Sequence, residues 1–257
     1  MDTRNTNESG RRGLKSKAVG VFTKLVVRIL RDPQVRKELR EIIKGQTHPQ
    51  NAYAKACELS TEQTADYILK HMLTKFMAND RLELMSLALD AASKMDGGLY
   101  LEFGSGYRGR STEFIAENIA GTLHGFDSFE GLPEDWFGNR RKGNFHSGEK
   151  IPEYPDNVIL HKGWFNESVP NFAQRYDGHI AFMHIDCDLY ASTKDVFDLL
   201  GNRIVSGTVI QFDEYFNYPG WQQHEFRAFQ ELVAEQNLSY EYLGYNQHGY
   251  SVALVIK

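Results

Sequence analysis

Short apolar runs alternate with helical segments from Leu99 onward, and this alternation limits the fold more than any other feature of the chain. The strand-like runs read LYLEF, TLHGF, NVILH, IAFMHI and GTVIQF, and segments such as STEFIAENIA and STKDVFDLL stand between them. Strands that alternate with helices form a parallel sheet with helices on both faces. The last two runs, LSYEYLGY and YSVALVIK, are joined by a short glycine-containing turn. We therefore predict an α/β fold whose mostly parallel sheet ends in an antiparallel pair.

The residues before this sheet predict a helical cap. Ser60-Thr-Glu-Gln63 matches a capping box ahead of Tyr67, Met72 and Phe76, which predicts a helix that begins near Thr61. A second helix is predicted over residues 81–94, before two glycines. We divide the chain into a disordered tail (1–13), a helical cap or lid (14–95) and a catalytic domain (96–257).

Charge is distributed unevenly along the chain. Residues 1–45 contain twelve lysines and arginines against five acids, a net charge of +7, whereas the other residues have 17 against 29, a net charge of −12. Between Lys17 and Arg31, apolar residues recur at helical spacing opposite basic ones, which predicts a basic amphipathic helix. We expect this helix to pack on the protein body or on a neighbouring subunit of a homo-oligomer. Contact with an anionic membrane is the less favoured alternative.

Cysteine content and the N-terminal segment predict a cytoplasmic protein. The two cysteines, Cys57 and Cys187, lie far apart in sequence, so they suggest neither a disulfide framework nor a zinc site. Lys24 and Arg28 interrupt the only apolar run that resembles an export signal. We expect no nucleic-acid partner.

A glycine-rich loop follows the first predicted strand and indicates a nucleotide-like ligand. Glu102 ends that strand, Gly104, Ser105 and Gly106 follow it, and Asp127 ends the next strand at the spacing of a ribose-binding acid. The acidic surroundings favour a cationic sulfonium nucleoside, S-adenosylmethionine, over an anionic dinucleotide. Three further residues complete the predicted donor site, and these are Ser128, Gly163 and Trp164.

Four acids follow the fourth and fifth predicted strands. Asp186 and Asp188 come after one strand, and Asp213 and Glu214 come after the other. The carboxyl edge of a parallel sheet is where ligands of this architecture bind. Because clustered carboxylates repel one another, and oxygen-only ligands select hard cations, these acids predict a magnesium site.

Four segments give the chain its resemblance to a known family: LEFGSGYRGRSTEFIA, GFDSFEGLPEDW, HIDCDLYASTKDVFDLL and QFDEYFNYPGWQQHEFRAFQEL. Over residues 96–235 the chain resembles the macrocin O-methyltransferase group. The resemblance implies a Rossmann-like methyltransferase fold, S-adenosylmethionine as donor, Mg²⁺ as cofactor, and a small-molecule hydroxyl such as that of a sugar or natural product as acceptor.

The resemblance also assigns roles to the acids. It implies that Asp186, Asp213 and Glu214 are metal ligands and that Asp188 is the catalytic base, although Asp186 and Asp188 could exchange these two roles. Glu214 stands where the family often has a second aspartate. A cation would lower the pKa of the hydroxyl while a carboxylate takes its proton.

Two other functions fit parts of the sequence. Asp186-Cys-Asp188 is a D-x-D pattern, which also occurs where a nucleotide-sugar glycosyltransferase holds a metal on a diphosphate. That enzyme would have no use for the glycine loop paired with Asp127. The second alternative is a non-catalytic adaptor that acts through its basic N-terminal helix. It leaves the four acids unexplained.

Overall fold

The computed structural model of the chain describes residues 32–33, 35–37, 51–106, 110–148 and 151–257. The chain divides into two compact units, residues 1–55 and 56–257. The predicted tail and the predicted basic amphipathic helix lie outside the described residues. In the first unit, the Asp32 carbonyl accepts a hydrogen bond from the Arg36 N–H at 3.0 Å, where a helical turn begins.

The described elements follow one another in an order dominated by strand and helix alternation. They are α1 (Ala52–His71), β1 (Phe76–Ala78), α2 (Arg81–Ala92), β2 (Leu99–Phe103), α3 (Arg110–Glu117), β3 (Leu123–Asp127), β4 (Val158–Lys162), α4 (Phe165–Ala173), β5 (Ile180–Ile185), α5 (Tyr190–Leu200), β6 (Val209–Phe212), α6 (Glu225–Gln236), β7 (Tyr240–Asn246) and β8 (Val252–Ile256), with short 3-10 turns at Gly201–Arg203 and Trp221–Gln223.

The strands form one sheet in the order β1-β7-β8-β6-β5-β2-β3-β4. Only β8 runs against its neighbours, β6 and β7, and the other pairs are parallel. The predicted mostly parallel sheet with a C-terminal antiparallel pair is confirmed. Ile185 at the end of β5 is level with Phe103 of β2 and with Phe212 of β6. This register places the loops that follow the three strands side by side.

Both faces of the sheet are buried. On one face, α2 packs Leu84, Met85 and Ala88 in the same cluster as Phe182 and Val209 of the sheet. All six residues of β5 are buried. A central parallel strand that is covered on both faces has a continuous apolar sequence, as IAFMHI does. His184 is the exception within that run, and it belongs to the site described below.

The predicted start of α1 at Thr61 is wrong. The helix begins at Ala52, where the Asn51 side chain accepts a hydrogen bond from the Ala54 N–H at 3.0 Å. Ser60 lies inside the helix and donates from Oγ to the Ala56 carbonyl at 2.7 Å. A serine that bonds four residues back does not cap a helix, so the capping-box pattern was coincidental.

A short strand was missed between the two N-terminal helices. Phe76, predicted as helical, is the first residue of β1, which pairs in parallel with β7. Residues 56–95 therefore lie in the same compact unit as the rest of the sheet. The compact unit begins well before residue 96, and the separate cap domain stays a prediction.

The helix after β5, α5, begins at Tyr190, and its cap residue, Leu189, makes no side-chain capping bond. Asp188 therefore does not cap the helix. Within the described ranges, no helix has both the length and the apolar character needed to cross a membrane.

Candidate active site

A cavity of about 580 Å³ lies at the carboxyl edge of the sheet. Nine of the predicted site residues line it, and these are Gly104, Asp127, Ser128, Gly163, Trp164, Asp186, Asp188, Asp213 and Glu214. Glu102, Ser105 and Gly106 do not line it. The aromatic residues Trp164 and Phe165 line the cavity, whereas Tyr215 and Trp221 are buried in the core.

The glycines of the loop after β2 are required by the protein itself. Gly104 has φ +104°, and a Cβ there would lie 1.7 Å from the carbonyl oxygen of Asp186. A Cβ on Gly106 would lie 2.6 Å from the carboxylate carbon of Asp127. Only glycine fits such close approaches. The loop is therefore pressed against the ends of β3 and β5 before any ligand is considered.

Asp127 fixes this loop. Its Oδ2 accepts from the Gly106 N–H at 2.7 Å, and its Oδ1 accepts from the Phe129 N–H at 2.6 Å. Burial raises the pKa of Asp127, while the two N–H groups act in the opposite direction. Each carboxylate oxygen can accept more than one hydrogen bond, so Asp127 retains acceptor capacity toward the cavity.

Glu102 is buried and pairs with a histidine. Its Oε1 lies 3.0 Å from Nδ1 of His184, and neither side chain is exposed. Glu102 Oε2 is also buried and has no hydrogen-bond partner among the described residues. Glu102 is not part of the cavity wall, and its place in the donor site stays a prediction.

His184 and Arg81 place positive charge beside the acids, and both approach Asp213. His184 Nε2 lies 4.0 Å from Asp213 Oδ1, too far for a hydrogen bond but close enough for electrostatic attraction. Burial lowers the pKa of His184, but Asp213 and Glu102 outweigh it and raise it to about 10. Arg81 Nη1 lies 2.9 Å from Asp213 Oδ2 and 3.6 Å from Asp186 Oδ2.

The acids divide into a group of three and one, Asp213, that lies outside this group. Asp186, Asp188 and Glu214 each offer a carboxylate oxygen, and these oxygens lie within 4.8 Å of one another. Asp213, predicted as a ligand beside Asp186 and Glu214, is outside the group. Its carboxylate binds Arg81 and accepts from Ser251 Oγ at 3.0 Å.

The electrostatics of the acids follow from this division. Burial raises the pKa of Asp186 and of Glu214, and the charge of Asp213 raises both further. The same two causes raise the pKa of Asp188 to about 7. Burial acts in the same direction on Asp213, but His184 and Arg81 prevail and lower its pKa to about 2.

A hard divalent cation fits the group of three. The three groups offer carboxylate oxygens, the kind of ligand that Mg²⁺ and Mn²⁺ prefer, and two of them can hold a cation while the third stays free to accept a proton. Glu214 Oε2 is buried and has no hydrogen-bond partner within the described ranges, so it is an acceptor that a cation would satisfy.

Comparison with known proteins identifies the fold and the class of enzyme. Residues 101–215 match a family model described as a methyltransferase domain. The match covers less than half of the chain. No curated protein sequence matches the chain. The predictions of a Rossmann-like methyltransferase fold and of a methyltransferase enzyme are confirmed, and the match supports S-adenosylmethionine as donor. It gives no support to a glycosyltransferase. The narrower macrocin assignment stays a prediction.

Two solved structures share the fold of this methyltransferase domain. The calicheamicin methyltransferase CalS11 has a TM-score of 0.53 at 19% identity, over 87% of this chain and 93% of that chain. The O-methyltransferase NovP has a TM-score of 0.51 at 21% identity, over 68% of this chain and 78% of that chain. At these identities the likeness concerns the fold.

Sequence reasoning missed several residues of the methyltransferase site. Arg81 starts α2, and nothing in its neighbourhood indicated a contact with β6. Trp136 and Arg140 line the cavity from the segment after β3, and the Arg140 guanidinium lies 5.1 Å from the Trp136 ring centre. Glu225 stands in the first turn of α6, where an acid usually indicates only a favourable helix dipole. It is fully buried beside the acids.

Proposed function

We propose that this protein transfers the methyl group of S-adenosylmethionine to a hydroxyl oxygen, with a divalent cation at its acids. One observation supports this above the others. The wall of a single cavity includes both the glycine loop with Asp127 and the acids after β5 and β6. Donor and acceptor can therefore meet in one cavity.

The donor half of the site consists of the loops after β2, β3 and β4. Gly104, Asp127 and Ser128 line one side, and Gly163 and Trp164 line the next. Asp127 retains acceptor capacity for ribose hydroxyls, and the Trp164 ring offers an apolar surface to an adenine base. The nearby acids favour a sulfonium cation over an anionic cofactor.

The acceptor half consists of the acids. Asp186 and Glu214 would hold the cation. When bound, the cation would lower the pKa of the acceptor hydroxyl. Asp188 accepts the hydroxyl proton as the oxygen attacks the methyl carbon. The carbon–sulfur bond breaks while the carbon–oxygen bond forms, and the sulfonium becomes a neutral sulfide. Asp213 orients Arg81 and His184 instead of holding the cation.

The acceptor is a small hydroxyl compound of the sugar or natural-product class. The family resemblance of residues 96–235 supports it, and the names of the two structural neighbours, a calicheamicin methyltransferase and an O-methyltransferase, agree with it. A cytoplasmic location and packing of the basic N-terminal helix against protein are parts of the same proposal.

Calorimetry and a transfer assay test the proposal together. S-adenosylmethionine should bind the wild-type protein, and a nucleotide-sugar diphosphate should not, with or without Mg²⁺. Methyl transfer over a panel of sugars and phenols should stop in EDTA and resume with excess Mg²⁺. Absence of donor binding would refute the methyl-transfer assignment. Full activity in EDTA would refute the cation.

A further inference from the structure

Glu225 is a fully buried acid that accepts hydrogen bonds from the loop after β5 and from the loop after β6. It is the first residue of α6. Its Oε1 accepts from the Asp188 N–H at 3.1 Å and from the Cys187 N–H at 3.4 Å. Its Oε2 accepts from the Glu214 N–H at 3.1 Å. One carboxylate therefore joins the loop after β5 to the loop after β6.

The sheet itself does not join these loops at the acids. The ladder between β5 and β6 ends at Ile185 and Phe212, and one more backbone bond runs from the Asp213 N–H to the Ile185 carbonyl. Beyond it, no backbone hydrogen bond among the described residues links the segment of Asp188 to that of Glu214. Their relative position thus depends on side chains.

Asp188 needs such support more than its neighbours. Its φ is +67°, in the left-handed region that L-residues other than glycine, asparagine and aspartate rarely occupy. A backbone conformation of this kind persists when surrounding contacts hold it. The hydrogen bond from the Asp188 N–H to Glu225 is one such contact.

The three bonds require an acceptor at both oxygen positions. A glutamine in the same place would direct its NH₂ group at one of the backbone N–H groups, and that contact would be repulsive. A fourth buried carboxylate beside Asp186, Asp188 and Glu214 is electrostatically unfavourable. Stability alone gives a poor reason to bury an acid at this position.

We propose that Glu225 is a positioning residue that sets the spacing of Asp188 and Glu214. It is not part of the cavity wall, so it acts through those two residues and not on the substrate. The proposal rests on the proposed function, because the spacing of the acids matters only if they bind a cation and accept a proton.

The variant Glu225→Gln tests it by separating the cation and donor sites. We expect Mn²⁺ affinity and kcat each to fall about 10-fold or more, the usual loss when a residue behind a metal ligand is changed. S-adenosylmethionine affinity should stay within about twofold, because hydrogen bonds from Gly106 and Phe129 to Asp127 hold the donor loops independently of α6. A purely structural role would weaken both ligands together.

Glu231→Gln is the matched control on the same helix. Glu231 pairs with Arg227 near the surface, and its loss should leave cation affinity and kcat unchanged. Unchanged Mn²⁺ affinity and kcat in Glu225→Gln, or a parallel loss of donor binding, would overturn the proposal. If wild-type protein bound neither Mn²⁺ nor donor, the proposed function would fail instead.

Amide hydrogen exchange in the wild-type protein gives a test that does not depend on folding of the variant. The amides of Asp188 and Glu214 should exchange at least tenfold more slowly than the amide of Gly121, an exposed residue between α3 and β3. Fast exchange of both amides would show that Glu225 does not hold them.

Discussion

Asp188 combines the properties expected of a proton acceptor. It lines the cavity, its carboxylate lies within 4.8 Å of those of Asp186 and Glu214, and its backbone is held by Glu225. Burial and the charge of Asp213 raise its pKa to about 7. A base whose pKa lies near the working pH is well matched to proton transfer.

Asp188→Asn keeps the shape of the side chain and removes its basicity. We expect kcat for methyl transfer to fall by about 10², while Mn²⁺ affinity changes little. In the wild-type protein kcat should decline as the pH falls, because the protonated carboxyl cannot accept a proton. The exposed Asp198→Asn is the control. Loss of Mn²⁺ affinity in place of kcat would make Asp188 a ligand.

His184 predicts a dependence of stability on pH. Its pKa is raised from 6.5 to about 10 in the folded protein by Asp213 and Glu102, against the effect of burial. The protonated imidazole therefore contributes stability that is fully present below pH 6.5 and is lost as the pH rises through 10.

Urea unfolding at several pH values measures this contribution. Between pH 6.5 and 10 the free energy of unfolding should fall more steeply for the wild-type protein than for His184→Gln, since only the former has the raised pKa. The exposed His248→Gln should follow the wild-type slope. Equal slopes for wild type and His184→Gln would show that His184 is neutral in the folded state.

At the scale of elements, the ends of β2 and β5 depend on one close contact. The backbone at Gly104 passes so near the Asp186 carbonyl that any side chain would displace one of the two loops. A side chain on Gly104 would therefore force the loops after β2 and β5 apart.

Gly104→Ala should therefore destabilise the protein itself. Gly97→Ala is the matched control, since Gly97 also has positive φ, +71°, but has open space around it. Both changes force alanine into a left-handed conformation, and Gly104→Ala adds the overlap. We expect its loss of unfolding free energy to exceed that of Gly97→Ala by about 1 kcal/mol or more. Equal losses of unfolding free energy in the two variants would mean that the overlap at Gly104 does not destabilise the protein.

At the scale of the whole molecule, the sheet depends on β1 and α2, which the sequence predicted to belong to a separate helical cap. The strand β1 extends the sheet beyond β7, and α2 buries Leu84, Met85 and Leu89 against one of its faces. Removal of these two elements would expose that face to water. Large exposed apolar faces lead to aggregation or unfolding.

Two truncated chains test this dependence. Residues 51–257 should unfold in one cooperative transition, because they contain the whole sheet and its covering helices. Residues 96–257 should aggregate or lack near-UV circular dichroism, because β1 and α2 are missing. A cooperative transition in the shorter chain would restore the boundary at residue 96.

The sequence by itself determined the strand and helix order from Leu99 onward, because apolar periodicity reports which faces are buried. It also placed Asp127, Asp186, Asp188 and Glu214 at one edge, because strand direction fixes where each parallel strand ends. It could not show the partners of Glu102 and Asp213, or that Arg81 and Glu225 approach the acids. Those contacts join residues far apart in sequence, so only tertiary packing decided them.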